Sequence, residues 1–147
     1  IARVVIIRSG VVLDVHGGAL AKMLPPFRFG VGGPIGRGKQ WMSWIDRDDV
    51  LRMIEWAIAH DDVRGAYNAT APEPVRNRDF TRELGRALHR PAFLPVPAFV
   101  LKLMFGEMAE GTVLPSQRVL PSRALAEGFT FQYPRLDEAL RHSLTPS

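Results

Sequence analysis

The chain has 147 residues, 46% hydrophobic and 23% charged, which is the composition of a globular chain rather than a disordered one. Its net charge of +4 is carried by sixteen arginines and three lysines that are scattered rather than clustered, without the interleaved aromatics of single-strand binders, so no nucleic-acid partner is expected. It contains no cysteine, which excludes disulfides and thiolate metal sites and fits a cytoplasmic location, and no apolar run approaches the length of a membrane span.

Taken in order, the chain opens on Val4 to Ile7, a continuous apolar run of the kind buried on both faces of a parallel sheet, inside a strand over residues 3–8. That strand ends at Arg8, Ser9 and Gly10, and Val11 to Leu13 extends it past a glycine bend. A short helix is predicted over Ala19 to Leu24, ended by Pro25 and Pro26. Five glycines between 30 and 38 then mark a flexible loop. Trp41 to Ile45 reads as a strand, followed by the most regular helix, whose Val50, Met53, Ile54, Ala57 and Ile58 form an apolar stripe. Asp46, Asp48 and Asp49 fall where its N-terminus needs acceptors and negative charge; capping explains them better than a general acid/base pair.

Beyond a turn at 60–64, Gly65 to Thr70 reads as a strand, and a proline-punctuated loop delivers Asn77 as an N-cap. The next helix runs to about His89 with Phe80, Leu84, Ala87 and Leu88 inward. Three prolines precede an almost wholly apolar helix over Ala98 to Phe105, interrupted by Lys102 and expected to be buried in an interface. The end reads as a strand-like QRVL, a helix stopped by Gly128, a short FTFQY strand and a closing helix with Leu136, Ala139 and Leu140 aligned.

Chemical motifs are few. The glycine loop lacks the G-x-G-x-x-G spacing and the strand-to-helix context of a dinucleotide fingerprint, because Gly30 and Gly32 are followed by Ile35 and another strand. It reads as a mobile substrate-side loop in which Arg37 and Lys39 can meet a phosphate. Tyr67 and Tyr133 have Ala71 and Asp137 four residues on, so no Tyr-x-x-x-Lys pair is present and no catalytic residue is assigned. His16, His60, His89 and His142 show no metal spacing, and no metal site is assigned. Arg8, Ser9 and Gly10 lie at a strand's carboxyl end, where open α/β sheets bind ligands. Arg8 there is either a phosphate or carboxylate partner or an arginine satisfied by backbone carbonyls.

Taken together, RVVIIRSGVVL, GGALAKMLPPFRFGVGGPIGRGKQWMSWI, YNATAPEPVRN, RPAFLPVPAFVLKLMFGEMA and QRVLP resemble the sugar-nucleotide-epimerase-like group of atypical short-chain dehydrogenase/reductases that carries a small extra C-terminal domain. The resemblance implies an α/β chain: residues 1–92 as the C-terminal portion of a Rossmann-like NAD(P)-binding fold, and 93–147 as a small helical α+β domain. It implies an NAD(P)-dependent epimerase or reductase-like protein, with NAD or NADP bound by the whole protein and not tightly by this segment, which is itself expected to be inactive. Ser9, Gly10 and Val11 would lie near the nicotinamide. Arg8, Arg37, Lys39, Trp41 and Trp44 would belong to the substrate side, for a small molecule such as a sugar nucleotide. Asp14 stands where the group commonly has glycine and Asp46 where it has histidine. The alternative is a non-catalytic interaction domain docking through the 98–105 helix. Either way, a segment with exposed strand edges is expected to self-associate.

Overall fold

A computed structural model describes residues 2–106 and 116–145. Among the described residues, six helices and six short strands form in the order β1 (Val5–Ser9), β2 (Val11–Leu13), α1 (Gly18–Arg28), β3 (Trp41–Met42), β4 (Trp44–Asp46), α2 (Arg47–Ala59), β5 (Gly65–Ala69), β6 (Val75–Arg76), α3 (Asn77–Leu88), α4 (Ala98–Phe105), α5 (Ser122–Ala126) and α6 (Leu136–Leu144). The strands pair in twos: β1 with β5 and β2 with β4, both parallel, and β3 with β6 antiparallel.

Two hydrophobic clusters hold these pairs together. The first gathers β2, α1, α3 and α6 around Trp44, with Leu13, Leu20, Phe80, Leu84, Ala139 and Leu140 fully buried. The second joins α2, β5 and α5 through Ile45, Met53, Val63, Tyr67, Ala124 and Phe129. Residues after 116 therefore contribute to both clusters.

The first strand departs from expectation. Val5 and Ile7 pack on the second cluster, whereas Val4 and Ile6 face outward, so the run is covered on one face only among the described residues. The physical reason is that α2 and β5 supply one face and one edge, and nothing described here covers the other. Helix α1 also runs longer than predicted, through Pro25 and Pro26 to Arg28. Two prolines remove amide donors, but Met23, Leu24 and Phe27 are buried across that turn. The amides of Phe29 and Val31 then use the carbonyls of Pro25 and Pro26, so the prolines' own acceptors are not wasted.

In α2 the Asp46 side chain accepts from the Asp48 amide as the expected N-cap. The buried face, however, is Asp49, Met53 and Ala57, with Val50 and Trp56 flanking. Ile54 and Ile58 are 40% and 71% exposed, so the inward stripe is rotated from the one the sequence suggests. The other end of the helix is capped from afar: Arg3 donates to the carbonyls of Ala57, His60 and Val63 at 2.7, 2.9 and 2.6 Å, where a cation also suits the dipole.

Three further readings are corrected. Asn77 does not cap α3; it is buried, its Oδ1 accepting the Ile35 amide at 2.7 Å. QRVL and FTFQY are not strands. Three of their amides bond to side chains instead of a ladder: Val119 to Ser43 Oγ at 2.8 Å, and Gln132 and Tyr133 to the two oxygens of Asp49 at 2.9 Å each. On the apolar α4, Phe99 and Leu103 are 67% and 83% exposed, with no cover from the described residues.

Candidate functional site

The parallel strands splay at Gly10. Up to Ser9 the chain pairs with β5, and the Gly10 amide still donates to the Ala69 carbonyl at 3.2 Å. From Val11, whose amide donates to the Ser43 carbonyl at 2.8 Å, it pairs with β4 instead. The Ala71 amide reaches Trp44 O at 2.7 Å, so β4 wedges between the diverging chains. Only glycine fits at this fork: a Cβ on Gly10 would stand 2.4 Å from the Ser43 carbonyl oxygen and 3.2 Å from the Thr70 methyl. Gly10→Ala should therefore lower stability by about 1–3 kcal/mol and shift the fork, since the obstacle is backbone and cannot rotate away. A urea melt with an unchanged midpoint would show that the fork has slack.

A crevice beyond strand ends at such a switch point is where open α/β sheets receive ligands. The segment at 116–120 is strapped across the fork. Ser43 Oγ accepts from Val119 N and donates to Gln117 O at 2.9 Å. Thr70 Oγ1 donates to Val119 O at 3.2 Å, Asn68 Nδ2 to Leu120 O at 3.3 Å, and the Trp41 amide to Ser116 Oγ at 3.0 Å.

The residues singled out from the sequence distribute themselves unevenly around this fork. Arg8 and Ser9 are exposed at the end of β1, and Arg8 has no hydrogen bond or ion pair among the described residues. Among the described residues no backbone carbonyl satisfies the Arg8 guanidinium. Val11 is buried in the first cluster, its amide spent on Ser43. Trp44 is wholly buried and its indole N–H donates to Glu73 O at 2.9 Å, so it backs the wall without presenting a face to a ligand. Trp41 is half-buried, with the guanidiniums of Arg76 and Arg118 at 4.6 and 5.3 Å from its ring.

Arg37 and Lys39 are exposed on the glycine loop, which is fastened rather than free. Gly36 N bonds to Val96 O, Arg78 N bonds to Gly38 O, and a Cβ on Gly33 would fall 1.9 Å from Leu94 O. At Gly33 the residue type answers to close backbone approach.

A second cleft, of about 610 Å³, opens beyond the ends of β2 and β4. Here His142 Nδ1 lies 2.9 Å from the buried Asp46 carboxylate and Nε2 lies 3.2 Å from Asp48. Its ring stacks on Tyr133 at 4.1 Å and 14°. The pair joins the last turn of α6 to the first turn of α2, ends whose dipoles favour a cation and anions respectively. Asp46, Asp48 and His142 offer ligand atoms within 4.8 Å of one another. The two ring nitrogens point in diverging directions, each toward its own carboxylate, which is the geometry of a bridge rather than of a chelate. Sequence reasoning missed this group because 96 residues separate its ends.

Two tyrosines are held neutral. Burial, then the hydrogen bond from Tyr67 Oη to Glu127 (2.7 Å), raises the Tyr67 phenol above its ordinary 10.0, against the opposing pull of Arg123. Tyr133 is raised by burial and then by Asp46, Asp48 and Asp49. A folded pKa above the unfolded one gives stability that is complete below the unfolded value and lost as pH rises through the folded one. Denaturation midpoints should hold to about pH 10 and then fall, and Tyr67→Phe should shrink that alkaline drop without abolishing it. An identical drop in Tyr67→Phe would assign it elsewhere.

The forked parallel strands with helices on their faces are those of the C-terminal part of an epimerase-type, Rossmann-like α/β fold. Residues 96–143 match a family described as "Domain of unknown function (DUF1731)". An epimerase family protein, SDR39U1 homolog, of Arabidopsis thaliana is 49% identical over 139 residues, 95% of this chain and 40% of that protein. The crystal structure of human epimerase family protein SDR39U1 with NADPH superposes with a TM-score of 0.88 at 41% identity, covering 95% of this chain and 48% of that one. A nucleoside-diphosphate sugar epimerase from Corynebacterium glutamicum gives 0.71 at 33% identity, covering 97% and 26%. The chain is similar to the C-terminal part of SDR39U1 epimerase family proteins, and spans 40% and 47% of the length of the Arabidopsis thaliana and Mus musculus relatives.

Proposed function

We propose that this chain is the substrate-side part of an NAD(P)-dependent epimerase- or reductase-like protein. The observation that carries the reading is the fork at Gly10, with Arg8 and Ser9 exposed at the end of β1 and the 116–120 strap closing one side. The human relative was crystallised with NADPH, which supports a nicotinamide cofactor placed against Ser9 and Gly10. Val11 would contribute there only through its place in the strand. Neither a dinucleotide fingerprint nor a Tyr-x-x-x-Lys pair is present, so the hydride chemistry would belong to the other part of such a protein. Residues 1–92 would form the Rossmann-like unit and 93–147 the appended one, in the cytoplasm.

On the substrate side, the Arg8 guanidinium has no hydrogen bond or ion pair among the described residues, and Arg118 and Arg76 over Trp41 add charge along the strap. A small anionic substrate such as a sugar nucleotide suits that edge. Arg37 and Lys39 stand on the fastened loop beside β3 and would act there as fixed charges, with Trp44 as support. The test uses this chain joined behind the N-terminal part of the human relative. Arg8→Ala should weaken binding of UDP-glucose about tenfold while leaving NADPH binding intact. Equal UDP-glucose affinities in the two proteins would overturn Arg8's role.

A second reading is favoured by one observation, the outward Phe99 and Leu103 of α4 together with the bare Val4 and Ile6 of β1. These faces suit self-association of the isolated chain, read by light scattering at low micromolar concentration. A compact monomer would contradict it.

A further inference from the structure

We propose that a groove beside the C-terminal half of α3 docks an acidic protein segment carrying one aromatic or aliphatic anchor. The groove encloses about 500 Å³. Every ionisable group that lines it is basic: Arg82, Arg86, His89 and Arg90. Its floor is apolar, built where Gly85 meets Ala92 so closely that a Cβ on the glycine would stand 2.7 Å from the alanine methyl. Phe93 forms the rim and is 72% exposed. Three arginine cations and a histidine around an apolar floor match carboxylates flanking a single apolar side chain.

The arginines are spaced for a polymer of regular repeat. Arg78, Arg82 and Arg86 recur every fourth residue on α3, and all are exposed. Helical rise sets them about 6 Å apart, close to the roughly 6.6 Å between alternate residues of an extended chain. An extended segment with acidic residues at every second position thus meets one guanidinium per repeat. Arg82 and Arg86 already hold Asp79 and Glu83 at 2.9 and 3.1 Å. Those carboxylates, however, line the neighbouring cleft with Arg135 and Asp137, on the other flank of the ladder. Exposed pairs of this kind are weak and leave the remaining guanidinium N–H groups for a partner. Arg90 donates only to the carbonyls of Arg28 and His89, and carries an uncompensated charge among the described residues.

The same ladder invites comparison with a nucleic-acid strand. A phosphate backbone brings a charge at every step and would crowd Asp79 and Glu83, and the groove offers one aromatic rather than a stacking series. The chemistry favours discrete carboxylates. This docking face lies on α3 and does not depend on cofactor binding at the fork.

Fluorescence anisotropy on the whole chain tests it, with a labelled peptide bearing glutamate at alternate positions and one central phenylalanine. Saturable binding that salt weakens is expected. A glutamine-for-glutamate peptide should bind at least roughly tenfold more weakly, and Arg90→Glu and Phe93→Ser should each give a loss of several-fold to about tenfold. Arg86→Gln, which removes the charge without setting a new acid beside Glu83, is the milder companion, and circular dichroism melts check folding. The proposal is overturned if the glutamine peptide binds equally, if Arg90→Glu and Arg86→Gln leave affinity unchanged, or if no probe binds. Preference for single-stranded DNA of equal length, or for phosphatidylserine vesicles, through these same residues would overturn it too.

Discussion

Met53→Asp should leave no folded chain, whereas Ile54→Asp, one residue on, should cost within about 1 kcal/mol. Met53 is wholly buried in the second cluster, which also holds Ile45 and Tyr67. An unpaired carboxylate placed there costs several kcal/mol, comparable to the roughly 5–15 kcal/mol that holds a whole domain together. Ile54 is 40% exposed, and its aspartate would reach water by a rotamer change. Paired urea melts decide it. Equal losses would mean that the outward face of α2 is covered in solution, by a second copy or otherwise.

Asp49→Ala should be the most damaging polar substitution, by about 3–5 kcal/mol. The carboxylate is fully buried, accepting from the amides of Gln132 and Tyr133 at 2.9 Å each and from Arg52 at 3.0 Å. Removing it strands two amides and a guanidinium, and it unties the segment that carries α6 back to the first cluster. Hydrogen exchange should therefore accelerate first at Gln132 and Tyr133, before global unfolding. Unchanged protection at those two amides would mean that hydrophobic contacts from Phe129 and Leu136 suffice to hold the segment.

Both residues show where the sequence was readable and where it was not. The α2 helix, its Asp46 cap and its general amphipathicity follow from local spacing and were legible. Its exact inward face was not, because Ile54 and Ile58 satisfy the same period as Met53 and Ala57. Only the placement of β4 and β5 chooses between them. QRVL and FTFQY have strand-like composition, yet three of their amides are taken by Ser43 and Asp49 from 76 to 84 residues away. No local pattern encodes such a pairing. The same distance hid the bridge from His142 to Asp46 and Asp48.

At the fork, an apolar run followed by Arg8, Ser9 and Gly10 was enough to mark a strand's carboxyl end. The family resemblance also implied Val11 and Trp44 near a ligand, and the fold sends both side chains into the first cluster. Trp41 and Trp44, three residues apart, part company because the chain breaks at Ser43 to receive the strap. The glycine loop misled in the opposite sense. Its glycines read as freedom, while Gly33 and its neighbours serve contacts with 94–96 and α3.

The central claim is that this chain is the substrate-side part of a nicotinamide-dependent epimerase-like protein. Its most direct test replaces the C-terminal part of human SDR39U1 with this chain and titrates NADPH by isothermal calorimetry, beside the chain alone. Saturable NADPH binding is expected of the chimera, and none at micromolar concentration of the chain alone. A folded chimera that fails to bind, or a chain that binds NADPH as tightly unaided, would contradict it.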